Sequence, residues 1–401
     1  MTNSKIFGST LIIAGTTIGA GMLALPLASA GIGFTTSLLL MLVLWALMAF
    51  TALLMVELHQ HALANATLHT LAKQFLGEKG KWLATSAMLF LFYALCAAYI
   101  AGGGAQFGER LNQLFDLTLT PKSATILFTA IVAIVVTIGT SAVDKLNRVL
   151  FIAKMIAMVS VLFFLAPNIS ESYLLSMPMQ QGLIVAALPV IFTSFGFHGS
   201  IPVIVNYLDG NTRALKKAIV IGSAIPLIIY IFWQLVTLGV LSQQEMAQNQ
   251  GLSALISQLT SKVHVGQLSH IIGVFADLAL LTSFFGVSLG LFEFLGDSMK
   301  NHMRKPKRWL ASLVTFLPPM VFALFYPQGF ITALGYAAIA LVVLAIFLPV
   351  AMVKKSRATH QQANLYQVKG GRFALVTVSV IGGIIVIVQL LVAAGNLPAL
   401  G

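Results

Sequence analysis

Long apolar stretches separated by short polar loops dominate the chain. A helix of about 20 apolar residues is long enough to cross the hydrocarbon core of a bilayer. The pattern therefore predicts an all-α membrane protein, a single transmembrane domain over residues 1–401. Its eleven predicted spans are Lys5 to Ala30, Gly33 to Leu58, Trp82 to Gly108, Ala124 to Thr140, Val149 to Ala166, Gln181 to Leu208, Ala214 to Leu241, Gly266 to Leu295, Trp309 to Phe325, Gly329 to Val353, and Phe373 to Gly395.

The first and sixth predicted spans have unusual interiors. They read GTTIGAGMLALP (Gly15 to Pro26) and FTSFGFHGSIP (Phe192 to Pro202), so small and hydroxyl residues lie at membrane depth and a proline follows. Backbone groups freed from a helix are costly in lipid unless they are buried in protein or line a cavity. The two segments predict broken helices. Close helix packing with a simple proline kink is the alternative.

The position of the two breaks predicts an internal repeat. The breaks are five spans apart, so each half contains five spans. Because five is odd, the second half of the chain starts from the opposite side of the membrane. This is the inverted repeat of many secondary transporters. Residues 5–166 form the first predicted repeat, residues 181–353 the second, and residues 373–395 an extra helix.

Broken helices expose backbone groups that suit a zwitterion. Half-helix N-termini favour a carboxylate, and half-helix C-termini favour an ammonium. We expect the carboxylate at Gly19, Ala20 and Gly21, and the amine at carbonyls near Thr16 and the start of the second break. The predicted substrate-binding residues are Gly15, Thr16, Thr17, Gly19, Ala20, Gly21, Phe192, Thr193, Ser194, Phe195, Gly196 and His198.

Ionisable residues at membrane depth are candidates for proton coupling. Lys154 lies in the fifth span, where it either snorkels to the surface or titrates beside the first span. Asp277 either relays protons or is satisfied by neighbouring helices, and the hydroxyls of Thr282 and Ser283 either line a cation site or pack. His198 either binds substrate, titrates or caps freed backbone.

Charge sets the direction of the spans. The chain has 23 basic and 11 acidic residues, a net charge of +12, and no basic domain of the kind that binds nucleic acid. A cytoplasmic N-terminus places 20 of the 23 basic residues inside and only Arg110, Lys122 and Lys262 outside. This asymmetry follows the positive-inside rule, and with eleven spans the C-terminus lies outside.

The chain shows no constellation of the common enzyme classes. HExxH, CxxC and P-loop patterns do not occur, and the one GxSxG match, Gly286 to Gly290, lies inside the eighth apolar span and not at a strand-to-helix turn. The single cysteine, Cys96, rules out a disulfide within the chain. We therefore expect a protein that is not an enzyme and needs neither a cofactor nor a metal ion.

The segment GTTIGAGMLALPLASAG resembles the hydroxy and aromatic amino acid permease family of the amino acid–polyamine–organocation superfamily. FTSFGFHGSIPVIVNYLDGN, FLPPMVFALFYPQGF and YQVKGG are further matches. The resemblance implies a leucine-transporter-like 5+5 inverted repeat with broken first and sixth helices plus one extra helix. It also implies that the substrate carboxylate binds at Gly19 to Gly21. The side chain of Lys154, by the same resemblance, takes the place of a sodium ion.

The same resemblance implies a proton symporter in the bacterial inner membrane. Its expected partners are an aromatic amino acid, with tyrosine first, together with protons and the lipid bilayer. Tryptophan, phenylalanine, serine or threonine remain alternative substrates, and sodium an alternative coupling ion. An exchanger or channel and a membrane-embedded enzyme are the alternatives from other classes. The sequence does not predict an oligomeric state.

Overall fold

The structure, a computed structural model, describes residues 2–115, 118–248, 251–262, 269–300, 308–359 and 365–398. All regular secondary structure in these ranges is helical. Ten segments are long and apolar enough to cross a membrane, and a bent helix pair near the N-terminus forms an eleventh. The predicted all-α membrane fold with eleven spans is confirmed.

The spans follow the hydropathy pattern closely. In chain order they are Thr2–Thr17 with Ala20–Ser29, Gly33–His59, Leu68–Phe115, Pro121–Ile138, Thr140–Leu165, Gln181–Ala186 with Leu188–Ser194 and Ile201–Tyr207, Thr212–Val240, Ser269–Lys300, Arg308–Phe325, Phe330–Val342 with Val343–Phe347 and Leu348–Thr359, and Gly371–Ala393.

Two predicted span starts were wrong. The third helix begins at Leu68, and Gly77, with φ 74°, interrupts it before the apolar part begins. The fifth begins at Thr140, nine residues before the predicted Val149. Hydropathy marks only the apolar part of a helix, and both helices continue into polar sequence. Lys154 consequently lies fourteen residues from the start of its helix.

The first span breaks where the sequence predicts. Its first half ends at Thr17, its second begins at Ala20, and the two axes differ by 51°. Gly19 has extended backbone angles and precedes the second half as its N-cap. Pro26 lies inside the second half, so the proline does not form the break.

The sixth span is also broken. An α-helical segment ends at Ser194, a 3-10 turn follows at His198–Ser200, and a second segment runs over Ile201–Tyr207. At this break the proline does lie next to the interruption of the helix, as the sequence predicts. Pro202 lies in the first turn of the second segment, where a missing N–H costs nothing.

Several helical features were not predicted. The connection between the seventh and eighth spans contains two helices, Gln243–Gln248 and Leu252–Ser261. The tenth span contains a π-helical stretch, Val343–Phe347. Gly266, Gln267 and Leu268, which were assigned to the eighth span, lie outside the described residues, as do the basic residues Arg304, Lys305 and Lys307.

Contacts between connecting segments support the alternating path of the spans. Polar contacts at one end of the bundle join Lys5 to Asp209, Glu57 to Arg357, and Thr140 to Glu293. Contacts at the other end join Gln106 to Ser253, Ser170 to Gly239, and Met179 to Gly31. The predicted topology places both members of each pair on the same side of the membrane.

A buried ion pair joins the second and tenth spans at the first of these ends. The Glu57 carboxylate accepts hydrogen bonds from Arg357 Nε at 2.6 Å and Nη2 at 2.8 Å, and from the Val368 backbone N–H at 2.8 Å. The Glu57 side chain is only 3% exposed. The connection before the eleventh span is thereby fixed to the end of the second span.

Candidate functional site

Lys154 reaches from the fifth span to the break in the first span. Its ammonium donates to the Ile18 carbonyl at 2.9 Å and to Thr282 Oγ1 at 3.2 Å, and the Phe151 ring lies 4.6 Å away. The residue is 2% exposed. The side chain therefore does not snorkel, and its partners lie on the first and eighth spans.

The charge of Lys154 is compensated mainly by dipoles. No carboxylate among the described residues lies within 4.0 Å of its nitrogen. The Ile18 carbonyl follows the C-terminus of the first half-helix, where the helix dipole is negative and favours a cation. A buried ammonium with polar but uncharged partners can bind or release a proton at modest cost.

The N-terminus of the second half-helix is packed against the eighth and sixth spans. A Cβ on Gly19 would overlap Ser283 Oγ, and one on Gly21 would lie 3.0 Å from Ser194 Cα. The N-cap residue of this half-helix is Gly19, which has no side chain of its own to cap it. The first N–H groups of a helix have no acceptor within it, and such groups suit a carboxylate.

The hydroxyl residues next to the breaks bond to backbone carbonyls. Thr16 and Thr17 donate to the carbonyls four residues earlier. Thr193 donates to Pro189 and Leu334 carbonyls, and Ser194 Oγ donates to the Gly21 carbonyl at 3.0 Å. Ser194 thus joins the two broken spans directly.

The predicted amine site remains a prediction. The Phe192 carbonyl accepts from the Phe195 N–H and the Thr193 carbonyl accepts from the Gly196 N–H, each at 3.1 Å. Each carbonyl has a second lone pair, so these turns do not block an ammonium. Gly15, which lies beside Phe151, has room around it.

His198 contacts the second span. Its Nε2 lies 2.9 Å from Thr51 Oγ1, and its Nδ1 is buried without a hydrogen-bond partner among the described residues. The partner of the ring is a side-chain hydroxyl, so the structure does not show the backbone cap considered from the sequence. A substrate or titration role for His198 remains a prediction.

Asp277 is paired with a residue that was assigned to an outer loop. Arg110 extends from the third helix and donates to Asp277 Oδ2 at 3.1 Å. A Cβ on Gly273 would overlap the guanidinium of Arg110, so this glycine makes room for the pair. Only Oδ2 is satisfied in this way, since Asp277 Oδ1 is buried without a hydrogen-bond partner among the described residues. Both interpretations of Asp277 remain predictions.

Sequence reasoning missed Tyr230 on the seventh span. Its hydroxyl contacts the carbonyls of Thr17 and Ser194, one at each break. A signal was present, since a tyrosine buried in an apolar span requires a polar partner. The partners themselves, far away in the sequence, were not predictable.

Known proteins resemble this chain over almost its whole length. A sequence model of the tryptophan/tyrosine permease family matches residues 2–389. "Tyrosine-specific transport system 1" of Haemophilus influenzae is 46% identical over 401 residues, 98% of this chain and 99% of the relative. "Tyrosine-specific transport system 2" of the same organism is 43% identical over 403 residues, 99% of each chain.

A solved structure shares the fold. The crystal structure of MhsT in complex with L-phenylalanine matches with a TM-score of 0.63 at 12% identity, over 96% of this chain and 97% of that one. The predicted leucine-transporter-like fold is confirmed. At this identity the likeness carries no information about the substrate.

Proposed function

The chain belongs to the tryptophan/tyrosine permease family, and from this premise we propose that it imports an aromatic amino acid, L-tyrosine, by proton symport. The names of the two Haemophilus influenzae relatives support tyrosine. The hydrogen bond from Lys154 to the Ile18 carbonyl is the observation that supports proton coupling.

The protonation state of Lys154 affects the backbone at the proposed substrate site. When it is protonated, its charge is favourable at the C-terminal end of the first half-helix, and its N–H groups hold Ile18 and Thr282. Loss of the proton removes that attraction and one donor. The break that Lys154 contacts is also where the next half-helix begins, and its first N–H groups have no acceptor within that helix. The protonation state and the proposed carboxylate site therefore share one backbone segment.

The substrate carboxylate binds these N–H groups, at Gly19, Ala20 and Gly21. The N-cap residue Gly19 has no side chain of its own to occupy these N–H groups, which supports this assignment. We also place the substrate ring near the aromatic side chains at the breaks, among them Phe195, whose ring packs against that of Tyr230. The binding of substrate between the two broken spans follows the general design of such transporters.

The protein lies in the bacterial inner membrane with its N-terminus in the cytoplasm. The distribution of basic residues supports this orientation, and the polar contacts at the two ends of the bundle support the path of the spans. We also propose that the chain contains two structural repeats, over residues 5–166 and 181–353. The breaks in the first and sixth spans support this division.

Uptake into proteoliposomes tests this function. We expect radiolabelled tyrosine to accumulate under an inward proton gradient without sodium, because the coupling cation is a proton on Lys154. An uncoupler should abolish the accumulation, and unlabelled tyrosine should compete better than tryptophan, phenylalanine or serine. Competition mainly by another amino acid would contradict the substrate, and a strict sodium requirement would contradict the coupling ion.

A further inference from the structure

The Tyr230 hydroxyl lies between the two breaks. Its oxygen is 2.6 Å from the Thr17 carbonyl oxygen and 3.0 Å from the Ser194 carbonyl oxygen. The residue is fully buried, and its ring packs 5.3 Å from that of Phe195. The seventh span thus contacts both broken spans through one polar atom.

The two carbonyls belong to residues that end half-helices. Thr17 is the last residue of Thr2–Thr17, and Ser194 is the last residue of Leu188–Ser194. The last four carbonyls of a helix have no partner within it and need one from elsewhere. Tyr230 is the donor that reaches both of these.

Neighbouring carbonyls at the breaks are bound by other donors. Lys154 binds the Ile18 carbonyl, and turn N–H groups bind those of Phe192 and Thr193. At the first break, two consecutive carbonyls are therefore bound by side chains from two different spans, one charged and one neutral. Lys154 and Tyr230 thus contact neighbouring carbonyls at one buried helix end.

Electrostatics at this point favour a cation. Two helix C-termini converge on one atom, and each end carries roughly half a negative charge. In transporters of this design, such carbonyls coordinate ions. A phenol hydroxyl has a single proton and cannot fully satisfy two carbonyls at once.

We propose that Tyr230 is a positioning residue that closes a second cation position between the two broken spans. This inference rests on the proposed function, because it takes the two breaks as the substrate site. The hydroxyl fixes both half-helix ends without a bound ion. The protein then needs only the one coupling charge, on Lys154.

Removal of the hydroxyl tests the positioning role. We expect Tyr230→Phe to raise the Kd for tyrosine at least fivefold, because the two half-helix ends lose their common donor. Tyr93→Phe is the matched control. The Tyr93 hydroxyl also donates to a backbone carbonyl, that of Val314, at 2.7 Å. Both residues lie far from the two breaks in the sequence. A rise smaller than fivefold in Tyr230→Phe overturns the proposal.

A smaller side chain tests the cation position. Tyr230→Ser leaves room for an ion beside the two carbonyls and supplies one further oxygen. We expect NaCl, compared with choline chloride, to raise the Tm of this variant, because a ligand that binds only the folded state stabilises it. The wild-type protein and Tyr93→Ser should show no such difference.

The two readouts separate this inference from the proposed function. The Tm comparison needs no substrate, so its result stands even if the wild-type protein fails to bind tyrosine. A folded Tyr230→Ser protein with the same Tm in both salts overturns the proposal. If that variant does not fold, the Kd of Tyr230→Phe decides alone.

Discussion

Lys154→Ala is expected to abolish proton-driven accumulation of tyrosine. One charge that crosses 100 mV supplies about 2.3 kcal/mol, which corresponds to an accumulation ratio of about 50. The variant has no titratable group at the Ile18 carbonyl, so the ratio should fall to about 1. The measurement is the steady-state ratio of internal to external tyrosine in proteoliposomes under a fixed potassium diffusion potential.

Lys145→Ala is the matched control, because Lys145 lies on the same helix but is exposed. It should accumulate tyrosine as the wild-type protein does. Exchange of internal for external tyrosine without a gradient separates a coupling defect from misfolding, and Lys154→Ala should retain it. Full accumulation by Lys154→Ala would contradict the coupling role of this lysine.

Glu57→Ala is expected to destabilise the protein by roughly 3 kcal/mol or more, since removal of one partner of a buried ion pair leaves the other charge uncompensated. The carboxylate is 3% exposed and accepts hydrogen bonds from Arg357 and from the Val368 backbone. The measurement is the Tm of the purified protein in detergent. We expect a clear decrease.

Asp144→Ala is the control for Glu57. Asp144 pairs with Arg148 at 2.9 Å, but both side chains are more than half exposed. Such pairs contribute about 0–1 kcal/mol, so the Tm should barely change. Equal shifts in the two variants would contradict a structural role of the buried pair. Replacement of both Glu57 and Arg357 by methionine should recover much of the lost stability, because no uncompensated charge is then left at this position.

The membrane fold was predictable from the sequence because lipid imposes a simple rule. A spanning helix must be apolar over about 20 residues, and its interior breaks must carry small or polar residues. The first break at Gly19 and the second after Ser194 were therefore visible. Helix ends outside the apolar core obey no such rule, which is why Thr140 and Leu68 were missed as helix starts.

The candidate site was predictable only in part. Lys154 was expected beside the first span, and its ammonium contacts the Ile18 carbonyl there. Its contact with Thr282 was not predicted, although Thr282 was a candidate for lining a cation site. The partners of Asp277 and His198 lie 167 and 147 residues away in the chain. Pairs at such separations depend on tertiary packing, which hydropathy does not encode. Tyr230 was missed for the same reason.

Proton movement with the substrate is the central claim. Proteoliposomes that contain a pH-sensitive dye and no imposed gradient should acidify inside when tyrosine is added outside, because each substrate molecule carries a proton inward. Lys154→Ala liposomes should not acidify. Entry of radiolabelled tyrosine into wild-type liposomes without internal acidification would contradict the account.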